Sequence, residues 1–165
     1  MLVLLNPSRE SLTAYADYRS AIEHEAAALN DRFGAGTVDL RIGDNFAQAV
    51  AAYKQFDVLF VNPIFDGMNL IAKEGPLVNE RDGVVVLSEN AGAYEELRAW
   101  TVGVNPFDVE GQADALWEAL TMPAPERRRR REAVAAWVRE HDVEAWTNAQ
   151  LADLDRHAQP VASRP

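Results

Sequence analysis

Short apolar runs alternate along the chain with longer segments of mixed polarity, and this alternation predicts strands and helices in turn. The apolar runs that we assign to strands cover residues 2–5, 38–42, 58–61, 84–87 and 101–104. The third and fourth runs are continuous and rich in β-branched residues, which is typical of strands covered on both faces. The alternation of strands and helices favours an α/β fold with a parallel sheet, right-handed crossovers and helices on both faces.

The predicted helices begin and end at polar, glycine and proline signals. Ser8 can cap a first helix that ends at residue 30 or 33, before the glycines at positions 34 and 36. Asn45 and Gln48 form a capping pair that opens a second helix through residue 55. Further helices are predicted for residues 91–99 and 108–120, and a last helical region covers residues 126–155, after two prolines. We therefore expect one domain over residues 1–157 and a disordered tail at 158–165.

Composition and charge remove several classes of function. The 165 residues carry a net charge of −10, which argues against a general nucleic-acid binder because phosphate contacts need clustered basic residues. There is no cysteine, so disulfides and thiolate metal sites are excluded. No apolar run approaches the ~18–20 residues of a membrane span, and the N-terminus lacks the basic region of a signal peptide. We therefore expect a cytoplasmic protein with no membrane partner.

The segment after the third strand is the main candidate for a ligand site. Asp66 follows that strand, Gly67 comes next, and Glu74 lies about two helical turns further on. If a helix begins near Gly67, its first amides lack intrahelical partners and present the positive end of the helix dipole, which suits a diphosphate. Asp66 would then accept hydrogen bonds from a sugar, and Glu74 could hold a ribose. The alternative is that Asp66 only caps the helix.

Other polar and aromatic residues have structural interpretations. We expect Lys73 to form a surface pair with the glutamate beside it, and Pro76 to kink or end its helix. The turn at residues 88–92 would lie beside the 66–70 segment in a parallel sheet. It has two small residues where its backbone must be approached, with Ser88 or Asn90 as an ordinary cap in the alternative. We assign Asp108 to a helix cap, the four tryptophans to packing, and the arginine run at 127–131 to a solvated helix face. The three histidines are scattered, so no metal site is expected.

Four strings of the sequence together resemble the trehalose-6-phosphate synthase family, the retaining glycosyltransferases of family 20. They are DGMNLIAKE at residues 66–74, VLSENAG at 86–92, VNPFD at 104–108 and ALTMP at 119–123. The strings PSR at 7–9 with Tyr15, NxxFG at 30–34, and Trp146 with Leu151 fit as well, so the resemblance covers almost the whole chain. It implies the GT-B fold, with this chain as the Rossmann-like C-terminal part.

The resemblance assigns the sugar contacts to the turn after the third strand. Asp66 would be the catalytic-centre residue that binds the hydroxyls of the transferred glucose. The backbone of Gly67, Met68 and Asn69 would contact the same sugar.

The nucleotide contacts implied by the resemblance lie on both sides of that turn. The amides of Leu70 and Ile71 would meet the diphosphate, and Glu74 would hold the ribose. Asn45 and Phe46 would lie near the base. No metal ligand and no cofactor are implied.

The resemblance also implies a reaction and its partners. Glucose would pass with retained configuration from UDP-glucose or GDP-glucose to glucose 6-phosphate, which gives trehalose 6-phosphate. A glucosylglycerol-phosphate synthase or a pseudo-glycosyltransferase that joins cyclitols remains an alternative, as does a non-catalytic nucleotide-sugar-binding module. A homo-oligomer is one option for the full-length enzyme.

Several family features do not occur in this chain. The arginine and lysine that neutralise the diphosphate, the first and central strand of the sheet, and the N-terminal acceptor domain all precede the stretch that begins here in the family. We therefore expect a fragment with a gap between the first and third strands, and no transferase activity for the isolated chain. Residues 74–79 also depart from the common family pattern.

Overall fold

A computed structural model of the chain describes residues 1–7 and 12–158. The chain divides into two compact units, Met1–Ala49 and Val50–Pro165. The elements in order are β1 (Leu2–Leu5), α1 (Thr13–Phe33), β2 (Asp39–Ile42), α2 (Phe46–Gln55), β3 (Val58–Val61), α3 (Ile71–Val78), β4 (Val84–Ser88), α4 (Gly92–Leu97), β5 (Val102–Val104), α5 (Val109–Thr121), α6 (Ala124–Glu140) and α7 (Val143–Ala158). All five predicted strands are confirmed, with ends that shift by one residue at most.

The first unit contains two parallel strands and the long helix between them. β1 pairs with β2 from Leu2 opposite Asp39 to Leu5 opposite Ile42. α1 ends at Gly34, whose φ of 103° lies in the left-handed region that favours glycine. The predicted cap at Ser8 lies outside the described residues, and the helix begins at Thr13.

The second unit is built around β4, whose five residues are all buried. β4 pairs in parallel with β3 on one side and β5 on the other. Alternate residues of β4 enter two different cores, as the strand period requires: Val85 and Leu87 pack with residues of α3, α4 and α6, whereas Val84 and Val86 pack with residues of α5. Helices therefore cover both faces of this sheet, as predicted.

The five strands form two sheets, β1-β2 and β3-β4-β5, and no strand of the described residues joins them, which agrees with the expected gap between the first and third strands. The predicted last helical region consists of two helices, α6 and α7, and α7 includes Ala158, the first residue of the predicted tail. The rest of that tail lies outside the described residues. Trp117 and Trp146 are not packing residues, because they are 70% and 63% exposed.

The prediction that the arginine run of α6 forms a solvated face is wrong for three of its five members. The side chains of Arg127, Arg130 and Arg131 are only about a fifth exposed, at 20%, 21% and 19%. Arg127 donates to the Asp82 carbonyl at 3.0 Å, Arg131 to the Asp82 carboxylate at 2.9 Å, and Arg130 to Glu126 at 2.8 Å. The run therefore fastens α6 to the loop before β4. Among the described residues, no helix has the length and apolarity to cross a membrane.

Candidate functional site

Residues 62–70 join β3 to α3, and the 66–70 turn within this segment lies at the carboxyl edge of the three-stranded sheet. This edge is where ligands bind in open α/β sheets. Asp66 forms an isolated parallel bridge with Ala91, which belongs to the turn after the neighbouring strand β4. The structure therefore brings together the 66–70 turn and the 88–92 turn, as the sequence predicted for neighbouring parallel strands.

The helix after this turn begins at Ile71, so the expected start near Gly67 is wrong. Asn69 has a φ of 71°, in the left-handed region, which stops the helix from extending back to Gly67. The Asn69 Oδ1 atom accepts a hydrogen bond from the Ala72 amide at 3.0 Å. Asn69 therefore performs the capping that the alternative interpretation assigned to Asp66.

The Asp66 carboxylate is used to shape its own turn and remains exposed. Its Oδ1 accepts a hydrogen bond from the Met68 amide at 3.1 Å, and its Oδ2 accepts one from Asn69 Nδ2 at 3.1 Å. Each carboxylate oxygen has a second lone pair, so both retain acceptor capacity. The arrangement fixes the orientation of the carboxylate and leaves it able to bind a hydroxyl.

Four amides at this turn donate to no acceptor among the described residues. They belong to Gly67, Asn69, Leu70 and Ile71. The last two lie at the start of α3, where unpaired amides and the helix dipole favour an anion. A Cβ added at Gly67 would meet no atom of the described residues outside its chain neighbours within 4 Å, so the space beside its Cα is open.

Glu74 lies in the first turn of α3, with its side chain exposed. Burial, reinforced by the charge of Glu74, raises the pKa of Tyr53. Lys73 does not pair with Glu74 as expected. Its Nζ atom donates to both carboxylate oxygens of Glu96 at 2.8 Å, and Trp137 Nε1 donates to the same carboxylate at 3.2 Å. This pair ties the start of α3 to α4 and α6.

Pro76 does not end α3 and is not exposed to solvent. The helix continues to Val78, and both Gly75 and Pro76 are buried. A Cβ on Gly75 would lie 2.7 Å from Leu59 Cδ2, so α3 packs directly against β3 at this point.

The two other strand-to-helix turns differ in how they are capped. Asp108 caps α5 as predicted, since its Oδ1 accepts a hydrogen bond from the Gly111 amide at 3.0 Å. The predicted capping of α4 by Ser88 or Asn90 is wrong, because α4 begins at Gly92 without a side-chain cap. The buried Ser88 hydroxyl instead accepts a hydrogen bond from the Asn90 amide at 3.1 Å.

A polar chain across the same edge was missed at the sequence level. Asn62 Nδ2 donates to Gln112 Oε1 at 3.0 Å, and Gln112 Nε2 donates to the Asn105 carbonyl at 3.2 Å. The Asn62 Oδ1 atom is buried without a partner among the described residues. An asparagine directly after a buried strand was the available signal. This chain links the carboxyl ends of β3 and β5 through α5.

The residues expected near the nucleotide base belong to the first unit. The predicted cap at Asn45 is confirmed, since Asn45 Oδ1 accepts a hydrogen bond from the Gln48 amide at 3.0 Å. Phe46 is 81% exposed. Their contact with a base stays a prediction. In the part of the chain that the structure describes, no cluster of acidic or histidine side chains could hold a metal ion.

Comparison with known proteins identifies relatives along almost the whole chain. The model of glycosyltransferase family 20 matches residues 1–156. A validamine 7-phosphate valienyltransferase from Streptomyces hygroscopicus subsp. jinggangensis is 40% identical over 158 residues, which are 93% of this chain and 31% of that protein. A trehalose-6-phosphate synthase from Enterobacter sp. (strain 638) is 37% identical over 155 residues, which are 90% of this chain and 32% of that protein.

Solved structures of similar proteins share the fold. An α,α-trehalose-phosphate synthase (UDP-forming) from Burkholderia xenovorans, in complex with glucose-6-phosphate, matches with a TM-score of 0.86 and 34% identity over 93% of this chain and 35% of that one. An E. coli trehalose-6-phosphate structure bound with UDP-2-fluoro glucose matches with a TM-score of 0.85 and 32% identity over the same shares, 93% and 35%. The chain thus spans about a third of the length of these relatives. Because the family model covers both units, the chain belongs to glycosyltransferase family 20 and has the α/β fold of its GT-B enzymes.

Proposed function

We propose that this chain is the donor-binding part of a retaining glucosyltransferase that makes trehalose 6-phosphate from a nucleotide-glucose and glucose 6-phosphate. The observation that carries the proposal is the 66–70 turn, where an exposed and oriented carboxylate adjoins unpaired amides. The Asp66 carboxylate retains acceptor capacity for sugar hydroxyls. The amides of Leu70 and Ile71 are open to an anion.

The proposed roles follow from the chemistry of these groups. Asp66 orients the glucose by accepting hydrogen bonds from its hydroxyls, with the backbone of residues 67–69 against the same sugar. The amides of Leu70 and Ile71 stabilise the charge that develops on the departing diphosphate, which is often the largest contribution to catalysis. Glu74 accepts hydrogen bonds from the ribose hydroxyls.

The ligands of two relatives support this choice of substrates. The Burkholderia xenovorans enzyme was solved with glucose-6-phosphate and is UDP-forming, and the E. coli structure holds UDP-2-fluoro glucose. UDP-glucose is therefore the first donor to test, with GDP-glucose as the second.

We further propose that residues 1–165 alone transfer no glucose. They correspond to about a third of each relative. In the family the diphosphate-neutralising cations and the acceptor site belong to the preceding part. Without them the departing diphosphate lacks its counter-charges and the acceptor is not positioned. Trehalose 6-phosphate formed by the purified chain would refute this proposal.

Titration calorimetry with UDP-glucose and GDP-glucose tests the donor site. We expect the chain to bind one of them, and Asp66→Ala or Glu74→Ala to weaken that binding about tenfold or more, as expected when a buried or charge-assisted hydrogen bond is lost. Asp114→Ala is the matched control, because Asp114 is an exposed acid on α5. Equal affinities for all four proteins would place the donor elsewhere. If neither donor binds, the site is absent from this chain.

A second candidate is transfer between cyclitols, as the name of the valienyltransferase relative indicates. The 40% identity to that protein exceeds the 37% identity to the Enterobacter synthase. The two functions differ in both the transferred group and the acceptor. The test therefore uses a longer protein that contains this chain together with its preceding part, and compares nucleotide-glucose plus glucose 6-phosphate with nucleotide-activated valienol plus validamine 7-phosphate. We expect product with glucose 6-phosphate. Product with validamine 7-phosphate alone would favour the second candidate.

A further inference from the structure

The 88–92 turn is bonded to the 66–70 turn through the backbone. The Asp66 amide donates to the Asn90 carbonyl at 3.3 Å, and the Gly92 amide donates to the Asp66 carbonyl at 2.9 Å. The Ala93 amide donates to the Met68 carbonyl at 2.7 Å. Three main-chain bonds therefore fix the height of Asp66 above the sheet edge. They also orient the segment that carries the open amide of Gly67.

Gly92 is required by the closeness of the two backbones. A Cβ atom on Gly92 would lie 2.1 Å from the Gly67 carbonyl oxygen and 2.8 Å from its carbonyl carbon. Both atoms are backbone, so neither can rotate away. Gly92 does not have a positive φ, hence the requirement comes from packing and not from backbone conformation. The atoms that approach Gly92 belong to the backbone of the 66–70 turn.

Asn90 holds the segment just before Asp66. Its Nδ2 atom donates to the Ile64 carbonyl at 2.9 Å. Its own amide donates to the hydroxyl of Ser88, which is fully buried. Asn90 is therefore anchored in the core on one side and bonded to the strand-end segment on the other.

We infer that Asn90 and Gly92 are positioning residues of the donor site, which act on the sugar by holding the 66–70 turn in place. The inference rests on the proposed function of that turn. Neither residue supplies a group that we assign to the ligand. Since a displacement of about 1 Å can cost a factor of a hundred in a positioned reaction, a methyl group at Gly92 should be felt at Asp66. The start of α3, which carries the diphosphate amides, has a further tie through the pair of Lys73 with Glu96.

The experiment compares Gly92→Ala and Asn90→Asp with the control Gly103→Ala. Asp at position 90 keeps the size of the side chain but sets a carboxylate oxygen against the Ile64 carbonyl. In Gly103→Ala the new methyl group meets the end of the Tyr94 side chain, which can move. The two readouts are the ¹⁵N-amide resonances of residues 66–69 in the free chain, and the affinities for UDP-glucose and UDP.

Both positioning variants should shift the amide resonances of residues 66–69 and weaken the binding of UDP-glucose about tenfold, while the affinity for UDP changes by less than about threefold. The control should leave both unchanged. A general loss of stability would weaken the binding of both ligands equally, and this result would overturn the inference. Unchanged amide resonances of residues 66–69 would overturn it as well. If Gly92→Ala does not fold, Asn90→Asp decides. If the unmodified chain binds neither ligand, the proposed function fails, and the resonances still decide whether Asn90 and Gly92 hold the turn.

Discussion

The turns after β3 and β5 look alike in sequence and differ in what their aspartates do. Each places an aspartate between a buried strand and a helix. Asp108 accepts a hydrogen bond from the Gly111 amide, so α5 uses this carboxylate for its own first turn. Asp66 caps no helix, because α3 begins five residues later and is capped through Asn69. The Asp108 carboxylate therefore caps its helix, whereas the Asp66 carboxylate does not.

The difference shows how an acid at a strand end is released for ligand binding. A helix needs an acceptor for its first amides, and the nearest short polar side chain normally supplies it. In the 66–70 turn a second polar residue, Asn69, adopts the left-handed conformation and becomes that acceptor. Asp66 is then free to shape the turn and to face outward. Whether an aspartate is a cap or a ligand thus depends on the residue that follows it by three positions.

The largest expected effect follows from replacing Asn69. Asn69→Ala removes the cap of α3, the bond to Asp66 and the tolerance for positive φ. The cap is worth about 1 kcal/mol and the left-handed conformation costs alanine about 1 kcal/mol more. We expect the free energy of unfolding to fall by about 2 kcal/mol in urea denaturation, with UDP-glucose binding weakened more than about tenfold.

Asn69→Gly separates these causes. Glycine accepts the positive φ without strain, so this variant should lose only the side-chain bonds and be less destabilised than Asn69→Ala. Equal stability of the two variants would show that the left-handed conformation of the turn contributes nothing.

Asp108→Ala should have a smaller effect, confined to stability. The variant leaves the Gly111 amide without its side-chain acceptor, and loss of such a cap costs about 1 kcal/mol. Donor binding should not change, because Asp108 serves its own helix. Urea denaturation and UDP-glucose titration of the same protein check both statements. A loss of donor affinity without a loss of stability would reverse the roles that we assign to the two aspartates.

The features that could be read from the sequence are those set by local pattern. The five strands and the caps at Asn45 and Asp108 follow from apolar runs and short polar side chains, and the structure confirms them. The start of α3 could not be read in this way, because DGMNL fits a helix start at several positions. Only the bonds of Asn69 to its neighbours choose among them. The pairing of Lys73 with Glu96 spans 23 residues, and such a partner depends on how α3 and α4 pack.

The smallest expected effect concerns the ion pair of Lys73 with Glu96. Among the described residues, no side chain of α5 forms an ion pair. Burial by itself would raise the pKa of Glu96, but the hydrogen bonds from Lys73 and Trp137 outweigh it and leave the pKa below its ordinary value of 4.5. The ionised pair therefore stabilises the fold above pH 4.5, and this stabilisation is lost as the pH falls through the lower folded value. Glu96→Gln should lower the free energy of unfolding at pH 7 by less than about 1 kcal/mol, since the pair is partly exposed. In urea denaturation, the difference in free energy of unfolding between Glu96→Gln and the unmodified chain should narrow as the pH falls. Glu118 is an exposed acid on α5, so Glu118→Gln should have almost the same free energy of unfolding as the unmodified chain at either pH. If the difference for Glu96→Gln widens in acid, the Glu96 carboxylate is not stabilised by Lys73.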